Sequence, residues 1–216
     1  MIRPAQQAKS HISRHREPGF PVEPIFVKRW SPRAFDASTM PLADLQTILE
    51  AARWAPSAYN SQPWRFVYAL RGDEHWDSFL RLLDPFNAAW AQNASALMFV
   101  VSDTLTPAHG SSPAKPSRTH SFDAGAAWAH LALQATALGY QAHAMAGILF
   151  DEITRQLSIP DRYRVEIAVA IGRQASPTTL PPALREREVP SHRMPPDQIA
   201  FAGRFMVDST NNASSD

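Results

Sequence analysis

At 216 residues, 44% of them hydrophobic, the chain can bury the core of one full domain, and no internal repeat or composition shift divides it. Its net charge of +1 makes no electrostatic case for nucleic acid, and the absence of cysteine excludes disulfides, thiolate metal sites and cysteine nucleophiles. The apolar run 96–101 is far too short to cross a bilayer and no other stretch comes closer, so the expectation is a soluble, cytoplasmic protein without a membrane partner.

Residues 1–19 are polar and basic, with His11, Arg14, His15 and Arg16, and read as a disordered arm rather than a signal peptide. Ile25, Phe26 and Val27 predict a short helix over 24–30, closed by Ser31 and Pro32. A second helix follows, capped by Ser38 or Thr39 with Pro41 in its first turn; Leu42, Leu45, Ile48, Leu49 and Ala52 make one apolar face at helical spacing. It ends at Pro56. Residues 65–70 read as a strand, and Gly72-Asp73 turns into a helix carrying Trp76, Phe79, Leu80 and Leu83. Pro85 breaks that helix and begins another that runs to about Gln92. Residues 96–102 are apolar on both faces, as in the middle of a sheet covered by helices.

Residues 104–119 hold three prolines and six serines or threonines and read as a long mobile loop of the kind that forms lids. A strong helix capped by Ser121 or Asp123 follows to Leu138, with Ala127, Trp128, Leu131, Ala132 and Ala135 on one face and Gly139 at the stop position. Residues 140–145 and 164–171 read as strands and 151–159 as a helix. A proline-rich extended arm spans 177–196, and 201–207 reads as an edge strand. Helices interleaved with four or more strands give an α/β or α+β class with one layered sheet. The expected organisation is an arm over 1–19, one domain over 20–206 and a disordered tail over 207–216.

Two stretches carry polar groups dense enough for a site. In 53–66, Ser57, Asn60, Ser61 and Gln62 lie between Pro56 and Pro63, with Trp54, Tyr59 and Trp64 adding flat apolar surface. Such a loop on a helix–strand frame suits a planar polar cofactor, or is an ordinary connection whose tryptophans join the core. In 29–33, Arg29, Ser31 and Arg33 either converge on one anion or flank a turn as solvated arginines. Phosphate-loop, dinucleotide and nucleophile-elbow patterns are absent. The eight histidines (His11, His15, His75, His109, His120, His130, His143 and His192) are scattered, and no metal site is assigned. Donors without a nucleophile or an acid–base pair point to a bound cofactor that does the chemistry.

The run Arg29-x-Ser31-x-Arg33, the segment from Ala55 to Trp64 with Pro56, Ser57, Ala58, Asn60, Ser61, Gln62 and Pro63, and His143, Met145, Gly147 and Pro190 to Arg193 together resemble the FMN-dependent nitroreductases. The resemblance covers 20–206. It implies a layered fold with a central mixed sheet flanked by helices, and a homodimer that shares two FMN sites across its helical interface. It also implies hydride passage from NAD(P)H through flavin N5 to nitroaromatic or quinone acceptors in a ping-pong cycle. By position, Arg29, Ser31 and Arg193 would hold the phosphate and ribityl chain, with Trp30 beside them, and Arg33 would face the pyrimidine edge. Pro56, Ser57, Ala58, Asn60 and Gln62 would reach the flavin bound mainly by the other subunit. Asn87 would contact the ring, and Met145, Ala146 and Gly147 would pass its N5 edge. No catalytic side chain is assigned. Trp90 stands where many members place a lysine, and Ala144 and Ala146 replace the proline and glutamate of the best-known subgroup. Relatives that cleave flavin, remove halogens or oxidise azolines, and a cofactor-free binding module of the same fold, are the alternative readings.

Overall fold

The structure is a computed structural model that describes residues 16–106 and 113–206. Two compact units partition the chain, Pro18–Pro190 and one made of the chain ends that includes residues from Ser191 onward. The first unit is built on a four-stranded sheet in the order β1-β2-β6-β5, formed by β1 (Trp64–Leu70), β2 (Ala96–Asp103), β5 (Gln141–Met145) and β6 (Tyr163–Gly172). All three pairings are antiparallel, so within the described chain the expected mixed sheet is replaced by an antiparallel one. The cause is topological: Leu70 at the end of β1 pairs with Ala96 at the start of β2, so the 71–95 connection returns to the end it left.

All eight residues of β2 are buried, because this central strand has an apolar layer on each face. On one face Leu97, Phe99, Val101, Ala168 and Ala170 pack against Trp76 and Phe79 of α3 (Trp76–Leu80), Trp90 of α4 (Pro85–Ala91) and Ile153 of α6 (Phe150–Gln156). On the other, Met98, Val100, Val169 and Ile171 meet Leu45, Ile48 and Ala52 of α2 (Leu42–Arg53) and Leu131, Ala132 and Ala135 of α5 (His120–Ala137). Each fully buried Leu, Ile or Phe in these layers contributes about 1.5–3 kcal/mol. The alanine stripe of α5 lets that helix approach α2 closely. Gly139, at φ 81°, ends α5 in the left-handed conformation expected of the stop position.

Several boundaries differ from the sequence expectation. The first helix, α1 (Pro24–Lys28), is shorter than predicted. Pro41 is itself the N-cap of α2 and no side chain caps it, since Ser38 Oγ is engaged by Asp36 Oδ1 at 2.6 Å; Leu42 is exposed. Thr119, rather than Ser121 or Asp123, precedes α5. Helix α3 stops at Leu80, and Leu83 forms a bridge to Ile148 instead. The long loop is partly ordered as a hairpin of β3 (Leu105–Thr106) and β4 (Lys115–Pro116); its tip falls outside the described residues, as do the 1–15 part of the arm and the 207–216 tail. The proline-rich arm is not extended throughout: it contains a 3-10 turn at Pro177–Thr179 and α7 (Pro182–Arg185), because proline favours first-turn helical positions. Residues 201–206 form no strand, as no ladder partner meets them and Gly203 interrupts the run.

Register shifts by one residue between Val100 and Val101, where Val100 pairs with Ile167 but Val101 with Val165. Glu166 is the extra residue of this bulge and is turned toward α5. Its Oε1 accepts from Ser102 Oγ at 2.6 Å and from Ser121 Oγ at 2.8 Å. With its proton given to Glu166, Ser102 Oγ accepts from His120 Nδ1 at 2.8 Å, which fixes the histidine tautomer.

Candidate functional site

Strand β5 is an edge of the sheet, and its period-2 alternation separates two roles. Ala142 and Ala144 face the α2–α5 layer, whereas Met145 joins the opposite layer and His143 lies against Trp90 there, ring centroids 4.7 Å apart. Segment 29–33 runs beside this second face. Trp30 N–H donates to Gln141 Oε1 at 3.4 Å, and His143 Nδ1–H donates to the Pro32 carbonyl at 2.9 Å. A bridge between Phe35 and Gln174 and the bond from Ala175 N to Ala34 O hold the segment's far end to the chain after β6.

Arg29 and Ser31 meet, with Arg29 Nη1 donating to Ser31 Oγ at 3.5 Å. Arg33 turns inward. Its Nε is buried without a hydrogen-bond partner, and burial, aided by Arg187 and opposed by Glu188, weakens its hold on its proton. Desolvation also holds His143 down to about 4, with the Arg33 charge acting in the same direction and the Pro32 carbonyl opposing; the ring is therefore neutral at pH 7.

At the end of β5 the chain passes Met145 and Ala146 to Gly147, which is tied to the start of α4. Asp84 caps that helix by accepting from Asn87 N at 2.6 Å, while Asp84 N and Asn87 Nδ2 both donate to the Gly147 carbonyl, at 3.1 and 3.0 Å. A Cβ at residue 147 would lie 1.8 Å from Asp84 Oδ2 and 2.5 Å from Asn87 Nδ2, so only glycine fits. Asn87, Met145, Ala146 and Gly147 are thus brought together. Trp90 is fully buried between Phe35 and His143, so it occupies core rather than an exposed ring-facing position.

The 57–62 loop stands at the other edge of the sheet, where it leads into β1. Between β1 and β5 lie β2 and β6, so three strand spacings, about 14 Å, separate the two edge strands. Asp123 Oδ2 accepts from Ala58 N at 3.2 Å and pins the loop to α5, and Ser57 Oγ accepts from Gln62 N at 3.0 Å. Tyr59, Asn60 and Gln62 adopt φ values of 54°, 53° and 46°. Three non-glycine residues in the left-handed region within four positions is a concentration of backbone strain. Pro56, Asn60 and Gln62 are exposed, Tyr59 is 95% exposed, and Ser57 and Ala58 are half-buried. Trp64 is core, but Trp54 is not. Arg193 belongs to the chain-end unit, where its Nη1 donates to Ser191 Oγ at 2.8 Å and to the His192 carbonyl at 3.0 Å.

Sequence reading missed four residues that shape these groups: Asp84, His143 as a packing partner, Glu188 and the tether from Asp123. For Asp84 a signal existed, an aspartate directly before a helix-starting proline. For Glu188 none did, since 154 residues separate it from the Ala34 amide it binds.

An antiparallel sheet between helical layers, with a cation-rich segment along one edge and a polar loop at the other, defines an α+β fold that other proteins share. A solved oxidoreductase containing FMN is 55% identical, with a TM-score of 0.87 over 91% of this chain and 98% of that one. The CLA biosynthesis enone reductase of Lactiplantibacillus plantarum is 27% identical over 70% of this chain and 84% of its own length. An uncharacterized 15.4 kDa protein of Mycolicibacterium smegmatis is 34% identical over 65% of this chain and 97% of its own. The nitroreductase family model matches residues 26–173, and the chain belongs to that family. Among the described residues no helix is long and apolar enough to cross a membrane, and no group of three acidic or histidine side chains could hold a metal.

Proposed function

We propose that this protein is a homodimeric FMN-dependent oxidoreductase that draws hydride from NAD(P)H and reduces nitroaromatic or quinone acceptors. The observation that carries the reading is Arg33, a cation whose buried Nε has no partner, near the strand that ends at Met145 and leads to Gly147. Buried polar groups are normally bonded, and an orphaned guanidinium N–H suits an acceptor-rich ring edge. The donor set of this unit fits FMN: Arg29 and Ser31 match a phosphate and ribityl chain, Arg33 a pyrimidine edge.

Bound FMN supplies hydride exchange at N5, first with NAD(P)H and then with the acceptor. The chain's own part is binding and electrostatics. Arg29 and Ser31, with Trp30 beside them, hold the anionic end. Arg33 stabilises negative charge that develops at the pyrimidine edge. Asn87 fixes the Gly147 carbonyl, so the backbone from Met145 through Ala146 to Gly147 is rigid where it would pass the ring. Trp90 and Met145 close the inner side to water.

The 57–62 loop is largely exposed and leads into the opposite edge strand, which supports its use by a second copy: Pro56, Ser57, Ala58, Asn60 and Gln62 would complete the partner's site. Exposed Phe26, Trp54, Tyr59 and Phe122, and a groove of about 360 Å³ between α1, α2 and α5 lined by Ile25, Trp54 and Leu133, supply apolar surface for that dimer. The test is to mix the purified protein with FMN, desalt it and record the visible spectrum, then to follow NAD(P)H oxidation with nitrofurazone, a quinone and an enone. A retained flavin band near one per subunit with turnover is expected. A colourless protein would overturn the reading.

A further inference from the structure

Glu188 is one of six polar or charged side chains buried among the described residues, and the mechanism above does not use it. It lies just beyond α7, in the arm that the sequence presents as a proline-rich tether. Its Oε1 accepts from two consecutive amides, Arg33 N at 2.7 Å and Ala34 N at 2.8 Å. Charge-assisted bonds from adjacent backbone donors to one carboxylate oxygen are short and strong, and they fix both peptide planes at once. Its other oxygen, Oε2, is buried with no partner, as is Arg33 Nε. A carboxylate held at 5% exposure with half its acceptors unused is costly unless a nearby positive charge offsets it. The Arg33 guanidinium is that charge. Glu188 favours the charged form of Arg33, and no ion pair within 4 Å joins the two side chains.

We propose that Glu188 is a positioning residue for Arg33, clamping the backbone of residues 33 and 34 and opposing the guanidinium charge, so that it sets how strongly Arg33 favours reduced FMN. The proposal rests on the FMN reading above. It assigns the arm a redox-tuning role. Glu188 acts on the flavin only through Arg33, and it does so with two separable means, geometry and charge.

Glu188→Gln keeps a carbonyl acceptor for the two amides and removes the charge; Glu188→Ala removes both. For Glu188→Gln the proposal expects FMN to be retained and the midpoint potential of the bound flavin, measured by dye equilibration against NAD(P)H-independent reductant, to move positive, because the Arg33 cation is then unopposed. For Glu188→Ala it expects amide exchange across residues 33–34 to accelerate on the order of tenfold in flavin-free protein, and FMN binding to weaken by ~10-fold or more. A merely structural residue would lower stability without moving the potential in the Gln variant. An unmoved or more negative potential in Glu188→Gln overturns the charge role, and unchanged exchange in Glu188→Ala overturns the clamp. Wild-type protein that takes up no FMN, yet shows faster exchange in Glu188→Ala, would overturn the redox role together with the FMN reading and support the clamp.

Discussion

The two polar groups of this fold are built in opposite ways. Along β5, segment 29–33, His143, Trp90, Asn87 and Gly147 interlock through part-buried hydrogen bonds and ring contacts. At β1, the 57–62 loop is exposed, holds three left-handed residues and is tied to the body through Asp123 and its own internal bonds. Packing dictates the first group; the second is strained in isolation and offers its tip outward. Strain that the surrounding chain does not explain is what one expects of a surface shaped for something else to cover it. In the dimeric reading proposed above, the first group is a finished half-site and the second a contributed one.

Substitutions can break either side of that contrast. The largest effect is expected at the packed group. Gly147→Ala drives a Cβ into Asp84 and Asn87 and should lower stability by about 3–4 kcal/mol in urea denaturation and abolish flavin retention. A pH series should report the same group. Burial depresses His143 from its usual 6.5 to about 4, so the unfolded chain takes up this proton first as pH falls. The stabilising effect is complete above pH 6.5 and is lost as pH drops toward 4, by about 3 kcal/mol. Denaturation midpoints of wild type and His143→Gln should therefore converge at acid pH.

Smaller effects should mark the loop. Asp123→Ala removes the acceptor of Ala58 N and of Thr119 Oγ1 and should cost about 1–2 kcal/mol. Amide exchange should rise in residues 57–62 and stay unchanged in 29–33; equal acceleration in both would erase the distinction. Tyr59→Gly relieves a left-handed residue and should raise stability by up to about 1 kcal/mol while lowering flavin retention. A variant that becomes more stable and binds less would show that the strain serves the site.

Much of this architecture is visible in one dimension. The periodicity of α2 and α5, the doubly apolar β2 and the stop at Gly139 follow from local rules, and the two polar stretches of the candidate site stand out in the same way. What the chain conceals is pairing at a distance. Antiparallel closure of the sheet depends on where 71–95 returns. The hairpin of β3 and β4 depends on Ser117 N meeting the Thr104 carbonyl. Helix caps were misplaced because Ser38 and Asp123 had better partners than the helix ends near them. The burial of Trp90 was not legible either, since its aromatic partners Phe35 and His143 lie far away in sequence.

A strand carrying one residue more than its neighbour cannot slide without penalty. At Glu166 the extra residue finds the hydroxyls of Ser102 and Ser121 only when β2 and β6 are aligned as they are; a slip of one position would push a carboxylate toward Val and Met side chains. The bulge therefore works as a key cut into the sheet. It rejects misregistered pairings while the chain folds, and it lets the all-apolar β2, which would otherwise accept several alignments, settle on one.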